Sequence, residues 1–379
     1  MSEIPYDRIR GWIDAALPFW AEHGVDHAHG GFLEELSREG EPTEIDFKRI
    51  RVICRQVYVF SHAALRGWDR GHALSQFGYD YLVKNAWLGP DRGWARVLSR
   101  RGEVLDATPD LYDLAFVLFA LAWRFRVTQQ REIHDLIEQT LRFIQNKMSA
   151  GELGGYWHRM PPEGPRLQNP HMHLLEAILA LADATGEHEF VRMARDLVDL
   201  FRTRFFDGRT LAEYFSEDLR RLGGDRGRVI EPGHHFEWAW ILAHYERLSG
   251  DSVLREADAL VAFAETHGVD VRTQAVRDQV RDDGFCLTAS SRTWPNTERI
   301  KAHLALFELA ERDPRPAVHG SVMLLLDRYL TPSGSWIDQF DGDGRPIAAA
   351  APASTFYHVF LAFAEVLRLE PRLSRVDAA

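Results

Sequence analysis

Two cysteines, Cys54 and Cys286, are all the thiols that 379 residues offer, which makes a disulfide framework unexpected. Both sit in apolar settings and read as small buried residues. Long apolar runs are also missing. The longest, such as Leu114 to Trp123, is too short to cross a bilayer. Met1 to Arg10 has no apolar segment of the kind a secretion signal needs. Excess positive charge is absent too: the net charge is −11, which gives no general attraction for nucleic acid or anionic membrane. The arginines at 220, 221, 226 and 228 are interleaved with acids and read as a solvated loop. There is no glycine-rich phosphate loop, no dinucleotide fingerprint and no serine nucleophile elbow. These absences lead to the expectation of a soluble, cytoplasmic protein, monomer or homodimer, with no nucleic-acid or membrane partner.

What is present is ordinary globular material, 45% hydrophobic and 27% charged, arranged in an internal repeat. A short glycine-plus-aromatic element recurs, with aromatics at 32, 94, 156, 214, 285 and 336. Six copies about 60 residues apart account for the whole chain. Several read as short hairpins, for example Gly93 to Leu105. Between them the apolar spacing is helical. Twelve helices are expected near 6–22, 46–69, 71–88, 109–127, 129–148, 170–185, 187–206, 234–249, 251–267, 294–312, 314–331 and 353–368. Glycine turns at 71, 186 and 250 imply antiparallel pairs. The segment 269–283 is polar and aperiodic and reads as an excursion.

The helix after each hairpin is richer in apolar residues than its partner. Asp113 to Ala120 is apolar on all sides after its first residue, whereas Arg131 to Asp135 is one-sided. That contrast favours a closed ring over an open solenoid. The expected fold is all-α: a single (α/α)6 barrel domain spanning 1–379, built of six helix-pair repeats, with short β-hairpins lining one mouth.

In such a ring the starts of the inner helices share that mouth. There the sequence places Arg55, Tyr112, Asn169, His173, Glu176, His234, Glu237, Trp294, Glu298 and His358, with Arg49, Arg51 and His171 nearby. Each of these polar groups has a purely structural reading, as a capped or satisfied core residue. Polar groups at all six starts of otherwise apolar helices point instead to a shared pocket. His, Glu, Arg, Asn, Tyr and Trp together suit a small polyhydroxylated ligand. Two competitors remain at this stage. His171 with His173, or His234 with Glu237, would supply metal ligands, although no His-Glu-x-x-His motif is present. Glu176, Glu237 and Glu298 would supply a glycosidase carboxylate pair.

Arg55-Gln56-Val57-Tyr58, the run Asn169 to Ala177, Pro232-Gly233-His234 with Glu237-Trp238, Trp294 with Glu298, and Phe356-Tyr357-His358 occur in that order. Together they resemble the N-acylglucosamine 2-epimerase superfamily, which includes sugar 2-epimerases and mannose isomerases. The resemblance covers essentially the whole chain and implies the same barrel. It implies proton transfer through a cis-enediolate, with His234 and His358 as the acid/base pair. By similarity, Glu237 orients His234, and His173 and Arg55 polarise the carbonyl. Tyr112, Asn169, Trp294, Glu298 and Glu176 are placed around the sugar. It implies no metal and no cofactor. An unphosphorylated aldose is expected, with D-mannose to D-fructose isomerisation ahead of 2-epimerisation. His235, adjacent to the catalytic candidate, is expected to be structural.

Overall fold

The computed structural model describes residues 3–375, so Met1, Ser2 and residues 376–379 of the expected span lie outside the described residues. Among the described residues, twelve α-helices alternate between two concentric rings. The outer ring comprises α1 (Tyr6–His23), α3 (Gly71–Ala86), α5 (Arg131–Phe143), α7 (His188–Leu200), α9 (Leu254–Phe263) and α11 (Arg315–Leu324). The inner ring comprises α2 (Ile50–Leu65), α4 (Leu111–Thr128), α6 (Asn169–Thr185), α8 (Pro232–Ser249), α10 (Thr293–Ala310) and α12 (Thr355–Leu373). Each inner helix packs on the next, and α12 packs on both α2 and α1, which closes the (α/α)6 barrel.

The two helix types follow their sequences. In α4 every residue from Asp113 to Ala122 is buried, because both the barrel interior and the outer ring cover it. In α5 the buried set Ile133, Leu136, Ile137, Thr140 and Leu141 marks one stripe. Each such aliphatic side chain removed from water contributes about 1.5–3 kcal/mol. Gly186 and Gly250 end α6 and α8 in the left-handed conformation, and Pro170 and Pro232 sit in the first turns of those helices. Closure of the ring is aromatic. Trp20 stacks on Trp336 at 4.6 Å, and Trp12 meets Phe356 and Phe363 edge-on.

The repeat is real, but its register differs from the sequence reading in two copies. Six equivalent antiparallel bridges join Val25 to Phe32, Trp87 to Trp94, Ser149 to Tyr156, Phe206 to Leu211, Val269 to Val276 and Leu330 to Trp336. The fourth and fifth positions are therefore Leu211 and Val276, not Tyr214 and Phe285. Aliphatic residues fill those two places, so the glycine-aromatic pattern matched the neighbouring hairpin instead. Phe285 lies at a hairpin tip and is 62% exposed. The supposed excursion is thus the fifth repeat element, followed by the strand Gln279–Arg281.

A second ring of short strands laces the mouth. The strand entering each inner helix pairs antiparallel with the hairpin of the next repeat: 47–49 with 97–99, 166–167 with 214–215, 229–230 with 279–281, and 291–292 with 339–340. A single bridge between Asp110 and Arg159 makes the remaining internal link, and 350–352 pairs back on 35–37. This pairing draws 47–49 out of the expected helix 46–69. Cys54 is buried, but Cys286 in the strand Cys286–Thr288 is only partly so. Among the described residues no helix is long and apolar enough to cross a membrane.

Candidate active site

The laced mouth opens into a pocket of about 370 Å³ at the starts of the inner helices. Arg55, Tyr112, Asn169, His173, His234, Glu237, Trp294 and His358 all line it. Glu176 and Glu298 do not. They were expected to hold the ligand, but they lie behind the wall, turned onto histidines.

Three histidines share one construction. Nδ1 of His173 lies 3.0 Å from Glu176, Nδ1 of His358 lies 2.8 Å from Glu298, and Nδ1 of His234 lies 3.0 Å from both oxygens of Glu213. A carboxylate on Nδ1 fixes the ring and its tautomer, and leaves Nε2 for a ligand. The partner of His234 corrects the sequence reading. Glu237 makes no hydrogen bond to it, and Glu237 Oε1 is buried without a partner. Glu213 was missed because it comes from the preceding hairpin, 21 positions upstream. Its signal was an acid beside the repeat position, where the core wants an apolar residue. Gln168 completes the arrangement. Trp238 Nε1 donates to its Oε1 at 2.7 Å, which turns its amide nitrogen toward Glu213 at 3.0 Å.

Other polar groups at the helix starts serve the scaffold. His171 Nε2 accepts the backbone N–H of Tyr156, His235 Nε2 that of Leu211, and Asn296 Oδ1 that of Val276. Those three N–H groups belong to the repeat bridges, so this is one structural device used three times. His235 is structural, as expected, and His171 is removed from any ligand set. Arg49 pairs with Glu34 and Arg51 with Asp113, so neither is a free cation.

Trp294 stands between the two outer histidines of the pocket. Its ring is 5.2 Å from His234 and 5.5 Å from His358. Gly233 makes room for it, since a Cβ there would meet the indole at 2.6 Å. Arg55 reaches in opposite, donating to Tyr112 Oη at 2.7 Å and lying over Phe116 at 4.2 Å. Among the described residues no carboxylate pairs with it, which leaves its charge for a ligand.

The electrostatics separate the histidines. Burial works against the charged form of His234, but Glu213 and Glu231 outweigh it and raise its pKa to about 9. Burial, with Arg55 and Lys301, pushes His358 well below its usual value. Burial lowers His173 to about 4 despite Glu176. Burial, then Glu298, raises Glu237 well above the usual carboxylate range, which favours its neutral form, and burial raises Glu298 as well.

Two triplets, His173–Glu176–Glu237 and Glu237–Glu298–His358, bring donor atoms within 4.8 Å of one another, as a metal site would. The chain puts its own cation among them. Lys301 Nζ is completely buried and 2.6 Å from Glu298 Oε2. Glu176 also accepts from Tyr357 Oη. With Glu176 and Glu298 engaged this way, Glu237 is the one member of the expected carboxylate trio that faces the pocket.

The sequence profile of the N-acylglucosamine 2-epimerase family matches residues 30–362. The chain belongs to the N-acylglucosamine 2-epimerase family. Over 371 residues it is 35% identical to the mannose-6-phosphate isomerase of Rhizobium meliloti (strain 1021), covering 94% of this chain and 95% of that one. It is 28% identical to the D-mannose isomerase of Thermobifida fusca, over 93% of each chain. A solved D-mannose isomerase superposes with a TM-score of 0.87 at 20% identity, covering 95% of this chain and 97% of that one, which shows the shared barrel. As a member of this family the protein is an enzyme, a sugar isomerase or epimerase.

Proposed function

We propose that this member of the family is an aldose–ketose isomerase that interconverts D-mannose and D-fructose, acting on the unphosphorylated open-chain sugar. The observation that carries the reading is the pair His234 and His358. They flank one tryptophan, each is held at Nδ1 by a carboxylate, and they are driven to opposite charge states. Two titratable groups whose environments push them apart are an acid and a base waiting for a substrate.

The neutral His358 takes the proton from C2. The electron pair of that bond forms the C1–C2 double bond, and the carbonyl pair moves to O1. The His234 imidazolium gives its proton to O1, which completes a cis-enediol. His358 then returns its proton to C1, while the O2 hydroxyl proton passes back to His234 as C2 becomes the ketone. Both histidines end as they began. The guanidinium of Arg55 lies where it offsets charge developing on the sugar oxygens. His173, Asn169, Tyr112 and Glu237 hold hydroxyls, and Trp294 packs on the carbon face. Every group in the scheme comes from one chain, so it requires no partner subunit, and no metal or nucleotide enters the steps.

Two variants of the reading have observations behind them. Both histidines line the same pocket, so reprotonation at C2 from the second face would give a 2-epimerase. A side pocket sharing Tyr112, Leu167, Asn169 and Tyr214 with the main one carries Arg51, Arg96, Arg159 and Arg226, which would suit a sugar phosphate. Three of those arginines are matched by Asp106, Asp110, Asp113 and Glu163, which favours the neutral sugar. His234→Asn and His358→Asn are each expected to abolish turnover of mannose while leaving thermal unfolding intact. Near-normal rates in both would overturn the assignment. A kcat/KM for mannose 6-phosphate well above that for mannose would replace the neutral substrate with the phosphate.

A further inference from the structure

His234 and His358 are built alike and end differently. Each is buried, and each has Nδ1 on a glutamate, at 3.0 Å from Glu213 and 2.8 Å from Glu298. The difference stands behind the glutamates. The other partners of Glu213 are neutral donors, the Gln168 amide at 3.0 Å and the Glu231 backbone N–H at 3.3 Å. Among the described residues no lysine or arginine pairs with it. Its full charge therefore acts on His234. Glu298 instead has Lys301 Nζ at 2.6 Å from Oε2, one turn further along α10. That ammonium has no exposed surface and lies 4.2 Å from the Trp240 ring centroid. It does not line the pocket, so it has no route to the sugar.

A buried lysine carries a large desolvation penalty, which a partner of opposite charge must offset. Here that partner is a carboxylate. We propose that Lys301 is a positioning residue: by offsetting the charge of Glu298, which holds His358 at Nδ1, it joins burial and Arg55 in keeping His358 the unprotonated member of the histidine pair. The inference rests on the acid/base reading of His358 given above.

Burial and Arg55 on α2 act on His358 in the same direction and weigh more, so Lys301 adds to them. From α6, burial keeps His173 neutral, and Glu176 favours the protonated form of His358. From α8, burial favours the neutral form of Glu237. On α12 itself the adjacent Tyr357 is held neutral in the same way. Burial raises Glu298 against the pull of Lys301, so without Lys301 a proton would be shared between Glu298 and His358 Nδ1, with Glu176 favouring it on His358.

The test reads His358 directly, by NMR titration of the 13Cε1-labelled histidines, with His358→Asn assigning the signal. In the wild type His358 is expected to stay neutral well below pH 6.5, the ordinary value for histidine. In Lys301→Met and Lys301→Gln its midpoint should rise by at least about one pH unit, the usual effect of an unopposed carboxylate at hydrogen-bond distance. The acid limb of the kcat/KM profile should move up with it. Lys301→Arg keeps the charge and should keep the wild-type midpoint. An unchanged midpoint in folded neutral variants overturns the proposal. Where neither neutral variant folds, the wild-type midpoint decides, and a value at or above about 6.5 overturns it. Because the titration is read without turnover, it stands apart from the acid/base assignment. An active His358→Asn enzyme would refute that assignment and leave the titration result in place.

Discussion

Replacing Glu213 by glutamine removes the carboxylate that charges His234 and keeps a side chain of the same shape. In the wild type, the rise from 6.5 to about 9 corresponds to roughly 3 kcal/mol favouring the protonated ring. Without Glu213 the burial penalty, the largest single cause, is opposed mainly by Glu231, so the His234 pKa should fall to about 6.5 or below. At pH 7 the imidazolium fraction would drop from nearly all to about a quarter or less. The basic limb of kcat/KM for mannose should therefore move from about pH 9 to about pH 6.5 or lower, measured by initial rates of fructose formation between pH 5 and 10. Stability gives a second reading. A pKa raised by folding adds stability that is fully present below about 6.5 and is lost as pH rises through about 9. The wild type should lose up to roughly 3 kcal/mol of unfolding free energy across that window, and Glu213→Gln should lose much less. A basic limb that stays near pH 9 in Glu213→Gln would refute the reasoning.

Other outcomes follow from the same geometry. Exhaustive chelation should leave activity unchanged, because Lys301 already supplies the cation of the carboxylate cluster; loss of activity restored by a single divalent ion would contradict this. Gly233→Ala should displace the Trp294 indole, which a Cβ would meet at 2.6 Å. It should raise KM and lower kcat by about tenfold or more with little change in melting temperature, and a wild-type KM would show that the ring does not position the sugar. His235→Ala should act on stability instead. Leaving the Leu211 N–H unsatisfied should cost about 1–3 kcal/mol in denaturant unfolding while kcat stays near normal, and a large loss of kcat in a stable variant would return His235 to the catalytic set.

The barrel was legible because its signal is periodic and repeated. Apolar helical spacing recurs in six copies, and glycine turns at 71, 186 and 250 support it, so an error in one copy does not spread. The register slipped where the repeat position is aliphatic, at Leu211 and Val276, because the pattern sought an aromatic ring. Within the site, helical spacing was informative only when both partners share a helix and turn toward each other. His173 with Glu176 is such a pair, and it exists. His234 with Glu237 has the same spacing, but Glu237 is turned away and Glu213 arrives from another element. No local spacing encodes that contact. Lys301 did leave a trace, a lysine three residues after Glu298 in an otherwise buried stretch of helix, where a lone cation would be costly. Scaffold polar groups such as His171 and Asn296 look the same in sequence as catalytic ones. Only the bridge N–H groups they accept from distinguish them.

The central claim is that this pocket moves a proton between C2 and C1 of mannose. It is tested most directly by incubating D-mannose with the enzyme in deuterated water and analysing the products by NMR and mass spectrometry. The expected result is fructose, formed at a rate that both His234→Asn and His358→Asn abolish, with deuterium at C1 in the share of turnovers in which the protonated His358 exchanges with solvent before it returns its proton. Glucose labelled at C2 as the main product would make the enzyme a 2-epimerase. Unlabelled mannose with no ketose formed, alongside hydrolysis of a mannose-containing disaccharide, would contradict the account altogether.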